Sequence, residues 1–140
     1  MKNIILILTF LFTSFLKNVN AQVPDTLVYL QSIVNKKAFY IGKPFSVLRD
    51  SLKIQIKCFS PFPSLSRDIT KETSTSFGFY FPQNADEMYL TYPRLDIYWQ
   101  PYLNANQSNL FRTQYRAVGW ASAVAAFYAT GIVADIKVRE

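Results

Sequence analysis

The chain contains no histidine. That absence removes the Ser-His-Asp and Cys-His nucleophile systems, the HExxH zinc motif and the commonest general base. Glycine is scarce as well. The four glycines, at 42, 78, 119 and 131, are too scattered for a GxGxxG turn or a P-loop, which excludes the phosphate cradle of a nucleotide enzyme. Cysteine occurs once, as Cys58. An exported domain with a single cysteine has no internal disulfide framework, so an apolar core must hold it. Strand alternation places Cys58 on an inward face, where it reads as a small hydrophobe rather than a nucleophile. Charged residues make up 17% of the chain, and the longest basic cluster is Lys36-Lys37. The basic stripe of a nucleic-acid binder is missing, so nucleic acid is not an expected partner. No residue pattern asks for a cofactor or a metal ion.

What is present begins with the amino-terminus. Lys2 precedes an uncharged apolar run over 4–16, followed by Lys17 and a polar stretch in which Val19 and Ala21 occupy the −3 and −1 positions of a cleavage site. The run is shorter than the roughly 20 apolar residues a membrane span needs. Residues 1–21 therefore read as a cleavable signal peptide and 22–140 as one domain, periplasmic or extracellular. Loss of Lys2 and Lys17 lowers the basic count from 15 to 13 against 9 acidic residues, a mild positive balance.

Half of the residues are hydrophobic, with 12 Phe and 9 Tyr, the composition of a folded chain. Asp25 or Thr26 can cap a helix whose apolar stripe is Leu27, Leu30, Ile33 and Val34. Gly42 interrupts it, and Pro44 opens a second helix carrying Phe45, Leu48 and Leu52. A period of two over 53–58 predicts a strand, the proline- and hydroxyl-rich stretch 60–75 a loop that is either mobile or functional, 76–81 and 88–92 further strands, and 94–99 another. In that last strand Leu95, Ile97 and Trp99 share the core face; Arg94, Asp96 and Tyr98 share the outer one. The uncharged run 117–134 splits at Gly131 into a helix over 114–130 and a strand beyond, with Ala117, Ala121, Ala125 and Ala129 as a close-packing seam. A stable membrane insertion of the mature chain is not expected, because Ala and Gly give little insertion energy. The order predicts an α+β fold, a small and mostly antiparallel sheet of about four strands with helices packed on one face.

For function, Tyr89, Tyr92, Tyr98, Trp99 and Tyr102 crowd one stretch, and aromatics with polar tips suit sugar or peptide ligands, although alternation buries part of the set. The outward residues Arg94, Asp96 and Tyr98 are the candidate ligand-binding patch. The alternative is a small cell-wall or glycan hydrolase using a carboxylate pair drawn from Asp68, Glu72, Asp86, Glu87 and Asp96. All of these but Asp96 fall in predicted loops, where solvation is the ordinary role, and Asp96 has Arg94 as its nearest expected ion-pair partner.

The leader, the stretch FYIGKPFSVL over 39–48 running into LKIQI over 52–56, and the closing FY and IVADIKV segments together resemble uncharacterised small exported proteins of Gram-negative bacteria. Residues 39–57 also resemble the helix-strand unit of the PASTA module of cell-wall-sensing proteins, with Gly42 opening the helix and Leu48 and Leu52 at the matching offsets. That likeness implies binding of peptidoglycan fragments. The expectation is a non-enzymatic exported binding or interaction module with a protein, peptide or glycan partner.

Overall fold

The computed structural model describes residues 25–64, 66, 68–81, 84–86 and 91–140. The leader, the strand start at 88–90 and Glu87 lie outside the described residues. Asp25 opens the first helix, its Oδ1 accepting from the backbone N–H groups of Leu27 at 2.9 Å and Val28 at 3.3 Å. These are donors that the first turn of a helix otherwise leaves without partners. Helix α1 (Thr26–Asn35) buries Leu30 and Ile33 from the expected stripe. A 3-10 turn (Lys37–Phe39) and Gly42 at φ +78° reverse the chain. Helix α2 (Phe45–Ser51) then buries Phe45 and Leu48, with Pro44 at its N-cap position.

Four strands form one sheet in the order β1-β2-β3-β4, every neighbouring pair antiparallel: β1 (Cys58–Pro63), β2 (Lys71–Gly78), β3 (Arg94–Asn104) and β4 (Val133–Arg139). Helices α3 (Ala105–Gln114) and α4 (Ser122–Ala129) connect β3 to β4. The fold is the expected α+β arrangement. One apolar core joins Leu30, Phe45, Leu48, Val124 and Tyr128 of the helices to Phe59, Phe77, Leu95, Ile97, Trp99 and Ile136 of the sheet. Rings knit it: Phe45 stacks on Phe77 at 4.8 Å and meets Trp99 edge-on at 5.6 Å. Among the described residues no helix is long and apolar enough to cross a membrane.

Several elements sit elsewhere than the sequence suggests. The alternating stretch 53–57 is irregular, and β1 starts at Cys58. Most of the expected loop 60–75 is strand, with Pro61 and Pro63 placed on β1, an edge of the sheet where a missing N–H costs no ladder bond. Thr91 and Tyr92 lie outside any strand. The helix expected over 114–130 is broken by Gly119 at φ +75°. There the chain passes so close to β1 that a Cβ on Gly119 would stand 2.1 Å from the Lys57 carbonyl oxygen, and the Trp120 N–H donates to that same oxygen at 3.0 Å. Helix α4 consequently buries Val124 and Tyr128, and of the alanine seam Ala121, its N-cap residue, packs partly buried against the core. Asn104, in a polar stretch with no predicted element, ends β3 and caps α3, its side chain accepting from the Gln107 N–H at 3.1 Å.

Candidate functional site

Polar side chains gather at two places, on opposite faces of the sheet. On the inner face Glu72 is fully buried. A bulge shifts the register of β2 between Glu72 and Ser74, so Glu72 falls on the same side as Thr75 and Phe77 instead of alternating away from them. The Tyr128 hydroxyl donates to Glu72 Oε1 at 3.0 Å and the Thr75 hydroxyl donates to the same oxygen. The Trp99 indole N–H in turn donates to Thr75 Oγ1 at 2.8 Å. Burial raises the pKa of Glu72, and the side chains of Ser108, Thr75, Tyr128 and Trp99 oppose that rise. Burial, and then the Glu72 charge, raise the Tyr128 phenol above its ordinary value. Glu72 Oε2 has no hydrogen-bond partner among the described residues. A neutral carboxyl group fits this environment, since an uncompensated buried carboxylate is expensive.

On the outer face Arg94 is half-buried. Its Nε donates to Ser76 Oγ at 2.8 Å, and its Nη2 to the Ser76 carbonyl at 2.9 Å and to Ser60 Oγ at 3.3 Å. Among the described residues Nη1 has only the thiol of Cys58, at 3.7 Å, a weak acceptor. Register explains the meeting. Cys58, Gly78 and Arg94 stand in one row across β1, β2 and β3, and Ser60 and Ser76 in the next. Cys58 thus lies on the outer face, not the inner one, and Phe59 takes the core position. Gly78 clears the space: a Cβ there would meet Cys58 Sγ at 2.6 Å and Arg94 Nη1 at 2.8 Å. Beside this row is a cavity of about 300 Å³, walled by Cys58, Gly78, Phe79, Thr91, Arg94 and the pair Tyr80 and Tyr92, whose rings stack at 4.1 Å.

Arg94, Asp96 and Tyr98 share the outer face as expected, but they do not converge. Asp96 is only 6% exposed, covered by Arg139, whose Nε and Nη2 reach Asp96 Oδ2 at 2.9 and 2.7 Å. The ion pair expected between Asp96 and Arg94 is not formed; Arg94 turns to neutral groups instead. Tyr98 lies under Lys137, whose Nζ is 4.7 Å from the ring centre. Arg139 also packs over Phe62 at 4.8 Å, so long cationic side chains roof this face of the sheet. Trp99 is buried in the core and Tyr102 is exposed.

Among the candidate carboxylates, Glu72 reads from the sequence as solvated loop, and the structure buries it in β2. Asp68 accepts from the Thr70 N–H at 3.0 Å and the Thr70 hydroxyl at 2.5 Å, and this hydroxyl and N–H lower its pKa. Asp86 is exposed. Glu72 and Asp96 lie on opposite faces of the sheet and cannot flank one scissile bond. Among the described residues no group of acidic residues and cysteine is arranged to hold a metal ion. Sequence reasoning found Arg94 but missed Cys58, Gly78 and Tyr80 as its neighbours; the signal available was Gly78, a glycine inside a strand, which marks a close approach of side chains or backbone. Comparison of the chain with protein-family models, curated proteins and solved structures finds no match.

Proposed function

We propose that this chain is a non-enzymatic exported binding module whose ligand places an anionic group in the cavity beside Arg94. The observation that carries the reading is a half-buried guanidinium with no carboxylate in ion-pair range among the described residues, held in place by two serines and a thiol. Holding a cation among neutral acceptors orients it without neutralising it. A carboxylate or phosphate entering the cavity exchanges the weak thiol contact of Nη1 for a charge-assisted bond. The stacked Tyr80 and Tyr92 rings supply an apolar wall for the remainder of the ligand. Export rests on the three-part leader over 1–21. The hydrolase alternative is less well supported, because Glu72 and Asp96 lie on opposite faces of the sheet and Asp68 is bonded to Thr70.

Titration with D-glucuronate, followed by nuclear magnetic resonance, tests the binding reading. The Arg94 Nε–H resonance and the backbone amides of Cys58 and Gly78 are expected to shift at millimolar ligand, while D-glucose leaves them in place. Arg94→Gln is expected to abolish the response. Equal shifts with both sugars, or a response that survives Arg94→Gln, overturn the assignment.

A further inference from the structure

The Arg94 cavity does not stand alone. Cys58 is a wall of a second cavity, of about 180 Å³, which also holds Phe81, Arg112, Arg116 and Gly119. On the other side of Gly119 a third cavity, of about 520 Å³, is lined by Arg49, Asp50, Ile54, Lys57, Val118 and Trp120. The contact of Gly119 with Lys57 ties the second to the third. The first two share the Cys58 wall and the third meets the second where Gly119 abuts Lys57, a succession past the start of β1 termed the belt. Its described walls carry five cations, Arg49, Lys57, Arg94, Arg112 and Arg116, and a single carboxylate, Asp50, which Arg49 binds at 2.7 Å. Aromatic rings recur between the charges: Tyr80 and Tyr92 beside Arg94, Phe81 beside Arg112 and Arg116, Trp120 beside Lys57.

We infer that this belt binds an extended acidic oligosaccharide, one anionic sugar at Arg94 and further acidic units along Arg116, Arg112 and Lys57. The inference rests on the anion-binding reading of Arg94 and adds the ligand class. Alternation of cation and ring suits a chain of sugars, whose carboxylates and apolar ring faces also alternate. An extended acidic peptide fits less well. A peptide that added as a further strand would need free main-chain ladder positions, and at Lys57 both backbone groups are occupied: its N–H donates to the Gly78 carbonyl at 2.8 Å and its carbonyl accepts from the Trp120 N–H. At that position recognition runs through the Lys57 side chain.

Calorimetry of the protein with galacturonate oligomers of one, three and six units tests this, against neutral malto-oligomers and hexaglutamate. Affinity is expected to rise about tenfold or more from monomer to hexamer as successive units engage. The double variant Arg112→Gln, Arg116→Gln should lose most of that gain while binding the monomer as the wild type does. Arg94→Gln should lose the monomer. A monomer that binds at Arg94 with no gain for the hexamer, or a gain untouched by the double variant, overturns the belt and leaves the Arg94 site standing. Hexaglutamate binding as tightly as the sugar hexamer overturns the glycan assignment, as do neutral oligomers that match the acidic ones. Failure of every anion to bind at Arg94 removes the site and the belt together.

Discussion

The two faces of the sheet treat polar groups in opposite ways. On the inner face Glu72, Thr75, Trp99 and Tyr128 are bonded to one another through Glu72 Oε1 and the Thr75 hydroxyl at the centre of an aromatic core, each residue at most 1% exposed. On the outer face Arg139 pairs with Asp96, while Arg94 and Lys137 lie over the sheet with no salt bridge among the described residues. Burial of a carboxyl group in a sealed site drives it toward its neutral form. A guanidinium beside an open cavity does the reverse, retaining a charge for something else to meet. Strong perturbation of a titratable group often marks a functional site; here it marks the structural cluster, and the candidate site is a cation whose importance lies in its partners.

The largest effect that tests this contrast is at Trp99. Trp99→Ala removes a side chain that is 1% exposed and that fixes the Thr75 hydroxyl. A cost of about 3–5 kcal/mol is expected in denaturant unfolding, whereas Tyr98→Ala, on the outer face of the same strand, should cost about 1 kcal/mol or less. A larger loss for Tyr98→Ala would reverse the assignment of the faces. Next in size is the pair of glycines near Cys58. Gly119→Ala drives a Cβ into backbone at a positive φ and should cost more than about 1 kcal/mol. Gly78→Ala meets only the ends of Cys58 and Arg94. It should melt close to the wild type while displacing Arg94 and weakening glucuronate binding.

The third test uses pH. Glu72 has its pKa raised in the folded state, so the folded chain retains a proton that the unfolded chain gives up. The stabilisation is complete below the ordinary carboxyl pKa and is lost as pH rises toward the raised value, by at most about 1.4 kcal/mol per pH unit. Glu72→Gln stays neutral throughout. Melts collected from about pH 4 to pH 8 should therefore move in favour of the variant as pH increases; a constant difference would mean that Glu72 is ionised in the fold. Tyr128→Phe, which removes one of two donors to Glu72 Oε1, should cost about 1 kcal/mol.

Helix starts and strand parity were legible in the sequence where local chemistry decides them. Asp25 caps, Pro44 begins a helix, and 94–99 alternates as expected. What was not legible depended on contacts distant in the chain. The break at Gly119 exists because Lys57 approaches it, and the bulge at Glu72 changes the parity by which a period-two reading sorts residues between faces. Glu72 reads as loop because prolines and hydroxyls surround it, and Cys58 reads as inward because the alternation of 53–57 does not carry into β1. Of the candidate patch, Arg94 keeps its place at a cavity wall. Asp96 does not, because Arg139, from a strand paired to it only in the folded chain, covers it.

The division between the faces is tested most directly by titrating glucuronate into three proteins, the wild type, Arg94→Gln and Glu72→Gln, each confirmed to be folded by its melt. Binding should be lost in Arg94→Gln, and Glu72→Gln should bind within about twofold of the wild type, because that side chain is sealed from the ligand. Unchanged affinity in Arg94→Gln together with lost affinity in Glu72→Gln would contradict the assignment and move the site to the inner cluster.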